Sequence, residues 1–253
     1  MKTILITGHG GAAGAKTVTA GLVSALRVQG KSVVALDLCP GNLLRFHFGM
    51  NPEDERGLAH QILTQQPLEG ANFRNRQGID FIPFGSVTTE DYAHVLAWVN
   101  QYPEWLNQWI SRLELGDEGV LVCHAPLSSH ALWRHIIQDA QQLEIFGLDA
   151  LTPTRMEQVL RCLPWLRTER SRWILNGFDA TRRLDRDGEL VVRQRYANRL
   201  LPLTMHRDEH HREALAQHTT IHAYAPSCQG AHDMTALALA LSLKQTQPPG
   251  TSS

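Results

Sequence analysis

The sequence has no excess of either charge and no long apolar run. Its 24 basic side chains oppose 25 acidic ones, for a formal net charge of −1. A protein that coats DNA needs a surplus of Lys and Arg to neutralise phosphates, so this balance argues against a nucleic-acid partner. No apolar run approaches the roughly 20 residues of a membrane span. We therefore expect a soluble, cytoplasmic protein.

Cysteine is also scarce, and its spacing excludes a disulfide framework. Cys39, Cys123, Cys162 and Cys228 form no Cys-x-x-Cys pair. In a chain of this size they are typical of thiols in a reducing compartment. The N-terminal apolar run is about five residues long before it meets glycine, shorter than the h-region of a signal peptide. A buried first strand explains this run better.

The first forty residues predict one βαβ unit. An apolar strand at Lys2–Thr7 runs into a loop of small residues, Gly8–Ala15. A helix follows over Lys16–Gln29, with apolar residues at helical spacing, and Ser32–Asp37 is a second buried strand. Strands that alternate with helices in this way form a mostly parallel sheet.

The alternation continues to the end of the chain. It predicts an α/β fold with a mostly parallel, twisted sheet and helices on both faces. We expect one domain over residues 1–244 and a disordered, proline-containing tail over 245–253. Further strands are predicted at Ile79–Pro83, Gly119–His124, Leu143–Gly147 and Arg172–Asn176, and helices at Arg56–Gln66, Trp98–Leu113, Ser129–Asp139, Asp187–Arg199, His210–Gln217 and Gly230–Leu243, with one more after Thr154. The stretch Pro202–Asp208 is predicted to be a strand-to-helix loop.

The loop after the first strand has the composition of a phosphate loop. It ends in Lys16 and Thr17 at the start of a helix. Glycines let successive backbone N–H groups surround a phosphate, while a lysine and a hydroxyl serve its outer oxygens and Mg²⁺. If the phosphate-loop pattern G-x-x-x-x-G-K-[ST] starts at Gly10, however, Ala15 occupies the position of its second glycine. A glycine-rich turn without a ligand is the alternative interpretation.

Several segments together resemble the MinD/ParA-type (SIMIBI) P-loop ATPases, and within them the BcsQ family of bacterial cellulose biosynthesis. The resemblance covers nearly the whole chain and implies the P-loop NTPase fold. The most specific segments are CPGNLLR and LLPLTMHRDE, since glycine-rich loops are common. The matching segments are HGGAAGAKTVTAGL at 9–22, KSVVALDLCPGNLLR at 31–45, FIPFGSV at 81–87, WILNGF at 173–178 and LLPLTMHRDE at 200–209.

The sequence departs from the ATPase pattern, K-G-G-x-G-K-T, in its loop. The loop is interpreted as holding one extra residue, Ala12 or Ala13. His9 then replaces the signature lysine that crosses the dimer interface, and Ala15 replaces the P-loop lysine, with Lys16 one step late. These changes remove cations from the phosphate site.

Two further departures lie at strand ends. Cys39 replaces an aspartate that orients attacking water, and His124 replaces the Walker B aspartate. An imidazole is a poor partner for Mg²⁺, which prefers oxygen ligands. The resemblance therefore implies no catalytic residue and no metal ligand here, and an ATP hydrolysis that is absent or very slow.

Other residues match nucleotide-binding positions of the family. If binding is retained, ATP with Mg²⁺ is the expected cofactor. Asp37 would then lie near the metal, although it is also placed to cap a turn with Asn42. Asn176 would contact adenine, although Asn-Gly is also a common turn. The nucleotide-binding residues that the resemblance implies are Gly10, Gly11, Gly14, Lys16, Thr17, Asp37 and Asn176.

Two clusters have no role in that site. His206, His210 and His211 lie close in sequence, but no cysteine or third spaced ligand accompanies them, so solvated polar residues are preferred over a zinc site. HRDE at 206–209 serves either an interface or a helix N-cap through Asp208. A tryptophan face in one helix, made of Trp98, Trp105 and Trp109, belongs either to the core or to a partner groove.

The resemblance implies an accessory, assembly-type factor of bacterial cellulose synthesis and secretion with a degenerate nucleotide site. The alternative is a slow MinD/ParA-type ATPase switch that dimerises on ATP. Implied partners are a second copy of the chain or cytoplasmic components of the cellulose synthase, BcsR-like and BcsE-like. Since the chain shows no amphipathic C-terminal helix, it would reach a membrane only through those partners.

Overall fold

A computed structural model describes residues 1–10, 13–136, 139–166 and 168–242. Gly11, Ala12 and the predicted tail at 245–253 lie outside the described residues. The described residues form one sheet with the strand order β3-β4-β2-β5-β1-β6-β7-β8. The strands are β1 (Lys2–His9), β2 (Val33–Asp37), β3 (Phe73–Arg74), β4 (Asp80–Ile82), β5 (Val120–His124), β6 (Gln141–Gly147), β7 (Ser171–Phe178) and β8 (Leu200–His206).

The sheet is parallel apart from its first strand. Only the short β3 runs antiparallel, to β4, among the strand pairs of the described ranges. From β1 the chain crosses over β5 to reach β2, and it later returns on the other side of β1 as β6. Ligands of open α/β sheets bind where the strand order reverses in this way. The topology therefore predicts a ligand site at the carboxyl end of β1.

Alternate residues of the central strands pack against opposite helix layers. Ile4 and Ile6 of β1 join one buried cluster, whereas Leu5 between them joins the other. One layer contains α1, α8, α9 and α10, and the other contains α2 to α7. The helices are α1 (Ala15–Val28), α2 (Leu58–Thr64), α3 (Thr89–Gln101), α4 (Trp105–Ile110), α5 (His130–Trp133), α6 (Thr152–Cys162), α7 (Arg183–Tyr196), α8 (His210–Ala216), α9 (Ile221–Tyr224) and α10 (Gln229–Ser242). The α/β fold with helices on both faces is confirmed.

No helix of the described ranges has the length and apolar character needed to cross a lipid bilayer.

Two predicted elements are wrong in detail. The single helix over Trp98–Leu113 is in fact two helices, α3 and α4, because Pro103 lies between them and a helix rarely continues into a proline. A capping box of Thr88 and Asp91 starts α3 well before the predicted position.

The second error is at the far edge of the sheet. The stretch predicted as a loop is the strand β8, which pairs with β7 in parallel. Pro202 cannot donate a backbone hydrogen bond, but it is exposed on an edge strand, where such a residue is tolerated. Consequently His206 ends a strand and His210 begins a helix, so the two do not share a helical face.

The central strands should carry much of the stability. Leu36 of β2 is fully buried in the core, whereas Leu190 of α7 is 68% exposed. We expect Leu36→Ala to lower the free energy of unfolding by about 2–5 kcal/mol. The same truncation at Leu190 should change it by less than about 0.5 kcal/mol. Urea denaturation of both variants checks this difference, and equal losses would contradict the assignment of the core.

Candidate functional site

The described residues on either side of Gly11 and Ala12 include two glycines with left-handed backbone. Gly10 and Gly14 adopt left-handed φ angles of 103° and 76°. The N–H of Val18 donates to the carbonyl of Gly14 at 2.9 Å, which begins α1 directly after the loop. Helix N-termini leave several N–H groups without intrahelical partners, and these groups attract anions.

A cavity of about 300 Å³ opens at this helix N-terminus. It brings the predicted Gly10, Gly14, Lys16 and Thr17 together with the degenerate positions Ala15 and His124. In the described part of the chain, Lys16 forms no ion pair. The lining residues are Gly8, Gly10, Ala13, Gly14, Ala15, Lys16, Thr17, His124 and Pro126.

Asn176 supports the loop from β7. Its side-chain Nδ2 donates to the carbonyl of Ala13 at 2.8 Å. It also lies so close to Gly14 that a Cβ there would stand 2.3 Å from Nδ2. The amide nitrogen is thereby engaged with the loop, whereas the family resemblance predicts a contact with adenine.

Asp37 and His124 meet at the ends of two neighbouring strands. They are register partners in β2 and β5. Both are buried, and His124 Nδ1 lies 2.9 Å from Asp37 Oδ1. A carboxylate oxygen accepts hydrogen bonds, so the N–H of His124 Nδ1 is the donor of this pair.

Two backbone groups complete the surroundings of the Asp37 carboxylate. The N–H of Cys39 donates to Oδ1 at 3.0 Å, and the N–H of Leu44 donates to Oδ2 at 3.3 Å. The predicted capping of the following turn is therefore present, although the donors are Cys39 and Leu44. Asn42 itself bonds elsewhere, from Nδ2 to Ser86 Oγ at 3.5 Å.

Two titratable groups beside the pair are held neutral. Burial, together with the charge of Asp37, raises the pKa of the Cys39 thiol, against the opposite effects of Lys16 and backbone N–H groups. Burial also lowers the pKa of His47 to about 4, with further contributions from His211, Lys16 and His124. The thiol of Cys39 and the imidazole of His47 are therefore both neutral near pH 7.

His9 lies in the strand and not in the loop. It is the last residue of β1, is buried, and places Nε2 2.5 Å from Glu144 Oε2 of β6. Its ring stacks on Phe146 at 4.7 Å, and burial raises the pKa of Glu144. This position does not suit a lysine that reaches across an interface.

The K-G-G-x-G-K-T pattern can also be aligned on Gly14 without an extra residue, which places Gly10 at the signature lysine and Ala15 at the P-loop lysine. The helix α1 begins at Ala15, directly after Gly14. In both alignments the signature position and the P-loop position lack a lysine, and the assignment of His9 to the signature position stays a prediction.

Arg155 is a neighbour of the loop that sequence reasoning missed. A Cβ on Gly10 would stand 2.9 Å from Nε of Arg155 in α6. The same guanidinium pairs with the carboxylate of Asp149 at 2.7 Å. No motif identifies this arginine, because α6 meets the loop only through the order of the strands. The only available signal was its place in a helix after β6, next to β1.

The HRDE segment joins β8 to α8 and α10. Asp208 accepts hydrogen bonds from the N–H groups of Gly230 at 2.7 Å and His210 at 3.0 Å. Burial alone would raise its pKa, but these donors hold the pKa of Asp208 well below its usual range. His206 binds Asp233 of α10. Asp208 thus accepts from backbone N–H groups at the starts of α8 and α10, which agrees with the N-capping interpretation.

The tryptophans lie in the other helix layer. Trp105 and Trp109 of α4 are buried in the core, and the partly buried Trp98 of α3 packs against them. All three also border a groove of about 670 Å³ between α2, α3 and α4. The core interpretation thus holds for Trp105 and Trp109.

The contact between Gly14 and Asn176 predicts a site-specific loss of stability. Gly14→Ala should be destabilising both through its left-handed φ and through the clash with Asn176. Gly30 is the matched control, because its φ is 78° and a Cβ there would meet nothing within 4 Å. We expect about 1–2 kcal/mol for Gly30→Ala and about 1–3 kcal/mol more for Gly14→Ala, measured by urea denaturation. Equal losses at the two positions would contradict the role of Asn176.

His47 predicts a dependence of stability on pH. The unfolded residue takes up a proton near pH 6.5, whereas the folded one does so only near pH 4. Stability should therefore fall as the pH drops through this window, by about 2 kcal/mol between pH 7 and pH 5, since each pKa unit corresponds to about 1.4 kcal/mol. His47→Gln should remove that part of the slope in urea denaturation.

His210 provides a control of opposite sign. Its hydrogen bond to Asp208 raises its pKa, so it stabilises the fold at acidic pH and loses this effect as the pH rises. His210→Gln should therefore lose more stability at pH 5 than at pH 8. A His47→Gln variant with an unchanged pH slope would show that His47 is protonated normally.

Solved structures with the same fold share its architecture over most of the chain. Cobyrinic acid a,c-diamide synthase from Mycobacterium smegmatis, solved with an ATP analogue and magnesium, superposes with a TM-score of 0.75 at 20% identity, covering 95% of this chain and 94% of that one. MinD from Pyrococcus horikoshii, complexed with Mg-ADP, gives 0.70 at 21% identity, covering 95% and 96%. These likenesses establish the MinD/ParA-type P-loop fold.

Comparisons of sequence identify the family. The cellulose biosynthesis protein BcsQ of Escherichia coli is 27% identical over 249 residues, covering 94% of this chain and 93% of that protein. BcsQ of Salmonella typhimurium is 27% identical over 240 residues, with the same coverage. The family model of the cellulose biosynthesis protein BcsQ matches residues 1–241. The chain therefore belongs to the BcsQ family of cellulose biosynthesis proteins, built on the MinD/ParA-type P-loop fold.

Proposed function

We propose that this protein is an accessory factor for the assembly and regulation of cellulose synthesis and secretion, and that it acts without hydrolysing ATP. Membership of the BcsQ family supports the cellulose role. The residue types at the carboxyl ends of β2 and β5 support the proposed absence of ATP hydrolysis. The protein retains the shape of a phosphate site while lacking the groups that activate it.

The observation that carries this proposal is the engagement of Asp37. Its carboxylate is the one acidic group at the described ends of β2 and β5, and three donors from His124, Cys39 and Leu44 surround it. Mg²⁺ prefers an octahedral set of oxygen ligands. A single carboxylate beside an imidazole and a thiol does not supply such a set of oxygen ligands.

How far the rate of ATP hydrolysis should fall can be judged from the way phosphoryl transfer is catalysed. Catalysis of this reaction depends on positioning and on electrostatic stabilisation by cations. One preorganised electrostatic donor contributes about 2.7–4 kcal/mol to such a transition state. Here Ala15 supplies no cation, and His124 and Cys39 supply no carboxylate. The combined loss corresponds to several orders of magnitude in rate.

A slow ATPase switch that dimerises on ATP is the second candidate. Lys16 favours it, because this lysine lines the cavity beside Thr17 and has no ion pair within the described ranges. In that case Lys16, Thr17, Asp37 and the loop N–H groups would hold the nucleotide. The same residues could also bind ATP without turnover, which agrees with the first candidate.

Assembly with other chains follows from the proposed role. We expect either a homodimer or a complex with BcsR-like and BcsE-like components on the cytoplasmic side of the cellulose synthase. Recruitment to the inner membrane would go through these partners. A nucleic-acid partner is not proposed, because the net charge of −1 offers no surplus of cations. We further propose that residues 1–244 form the single functional domain.

ATP turnover by the purified protein tests the loss of hydrolysis. We expect release of phosphate no faster than in buffer, with or without Mg²⁺, and no change in Lys16→Ala. The matched control is Lys31→Ala, since Lys31 lies beyond α1 and pairs with Glu118. Turnover that requires Mg²⁺, disappears in Lys16→Ala and persists in Lys31→Ala would establish the switch instead.

Cellulose output tests the accessory role separately. Deletion of the gene in its host should reduce cellulose secretion, and the Lys16→Ala protein should restore it as well as the wild type does. A switch predicts that Lys16→Ala fails to restore secretion although the protein accumulates normally. Unchanged secretion in the deletion strain would contradict any role in cellulose synthesis.

A further inference from the structure

Three potential metal ligands of different chemistry converge beside the glycine loop. Asp37, Cys39 and His124 each offer one ligand atom, and these atoms lie within 4.8 Å of one another. Asp37 and His124 are buried, and Cys39 is partly buried. The strand order brings them together, because β2 and β5 are neighbours and Cys39 follows the end of β2.

The donor set selects against magnesium and in favour of zinc. Thiolate and imidazole are the ligands that zinc prefers in proteins, and a carboxylate is a common addition. Magnesium and calcium take oxygen ligands almost exclusively. We propose that Asp37, Cys39 and His124 form a zinc-binding site. The two residues that disable the magnesium position, Cys39 and His124, are the same ones that make it suitable for a softer ion.

The surroundings hold these ligands in place before any metal arrives. Backbone N–H groups of Cys39 and Leu44 fix the two oxygens of Asp37, and Asp37 Oδ1 lies 2.9 Å from His124 Nδ1. Two ligand atoms on one tetrahedral zinc ion stand roughly 3.3 Å apart, so the ion can take the place of the proton between these two atoms. The ligands therefore lose little conformational freedom on binding.

Space for a fourth zinc ligand is available on the side of His124 that faces the glycine loop. His124 borders the 300 Å³ cavity at the glycine loop, so a water molecule can complete a tetrahedral set.

A second cluster offers the same types of ligand but is less suitable. Asp208, His210 and Cys228 also lie within 4.8 Å of one another. Their polar atoms serve the starts of helices, since Asp208 accepts from Gly230 and the Cys228 sulfur accepts from Ala231. The His210 side chain is 47% exposed, compared with 6% for His124. This cluster therefore supplies the control.

The zinc site does not depend on the proposed loss of hydrolysis, and its test needs no nucleotide. Tag-free protein is treated with chelator and then dialysed against zinc, and the bound metal is measured by mass spectrometry. We expect one zinc per chain, retained in a thousandfold excess of Mg²⁺. Cobalt, as a spectroscopic probe, should give a thiolate-to-metal charge-transfer band and the visible bands of a tetrahedral ion.

Variants identify the ligands. Cys39→Ser should abolish the charge-transfer band and weaken zinc binding at least about tenfold, and His124→Asn should weaken it by about 10- to 100-fold. Cys39→Asp restores an oxygen ligand and should likewise lose the band, which keeps the test valid if Cys39→Ser folds poorly. The matched control Cys228→Ser should keep both the band and the affinity.

Three outcomes would overturn the assignment. These are the absence of stoichiometric zinc in folded wild-type protein, a charge-transfer band that survives in Cys39→Ser, and a band that is lost in Cys228→Ser. Circular dichroism of each variant distinguishes a lost ligand from a lost fold. ATP turnover measured on the same preparations reports on the proposed function independently of these readouts.

Discussion

The hydrogen bond between Asp37 and His124 is the interaction on which the character of the site depends. It joins the ends of β2 and β5 at the edge where P-loop proteins of this fold hold a metal and a phosphate. Burying a carboxylate is unfavourable unless donors surround it, and here His124 and two backbone N–H groups provide them. The carboxylate of Asp37 is thus hydrogen-bonded within the protein, and the ends of β2 and β5 are tied to each other at this point.

A comparable pairing lies on the other side of β1. His9 and Glu144 are buried together between β1 and β6, where the ring of His9 also stacks on Phe146. Asp37, His124 and His9 each end their strands, whereas Glu144 lies in the middle of β6. Polar contacts therefore join neighbouring strands near the carboxyl ends of β1, β2 and β5, while apolar side chains secure the rest of the sheet.

The fold could be predicted from the sequence because strands, helices and the glycine loop each carry a local signal. Where the prediction was wrong, a nonlocal or competing effect was responsible: Pro103 divided the tryptophan helix, and Pro202 was accommodated because β8 is an edge strand. The individual site residues were also visible in the sequence. Their mutual contacts were not, because whether His124 reaches Asp37, or Asn176 reaches the loop, depends on which strands are neighbours.

The glycine loop is supported by its own chain from two sides. Asn176 binds its carbonyl at Ala13, and the guanidinium of Arg155 lies against Gly10. These two contacts come from β7 and α6, outside the loop itself. A substitution at Asn176 or Arg155 would therefore act on the loop from a distance along the chain, and the positions that constrain this turn extend beyond its own sequence.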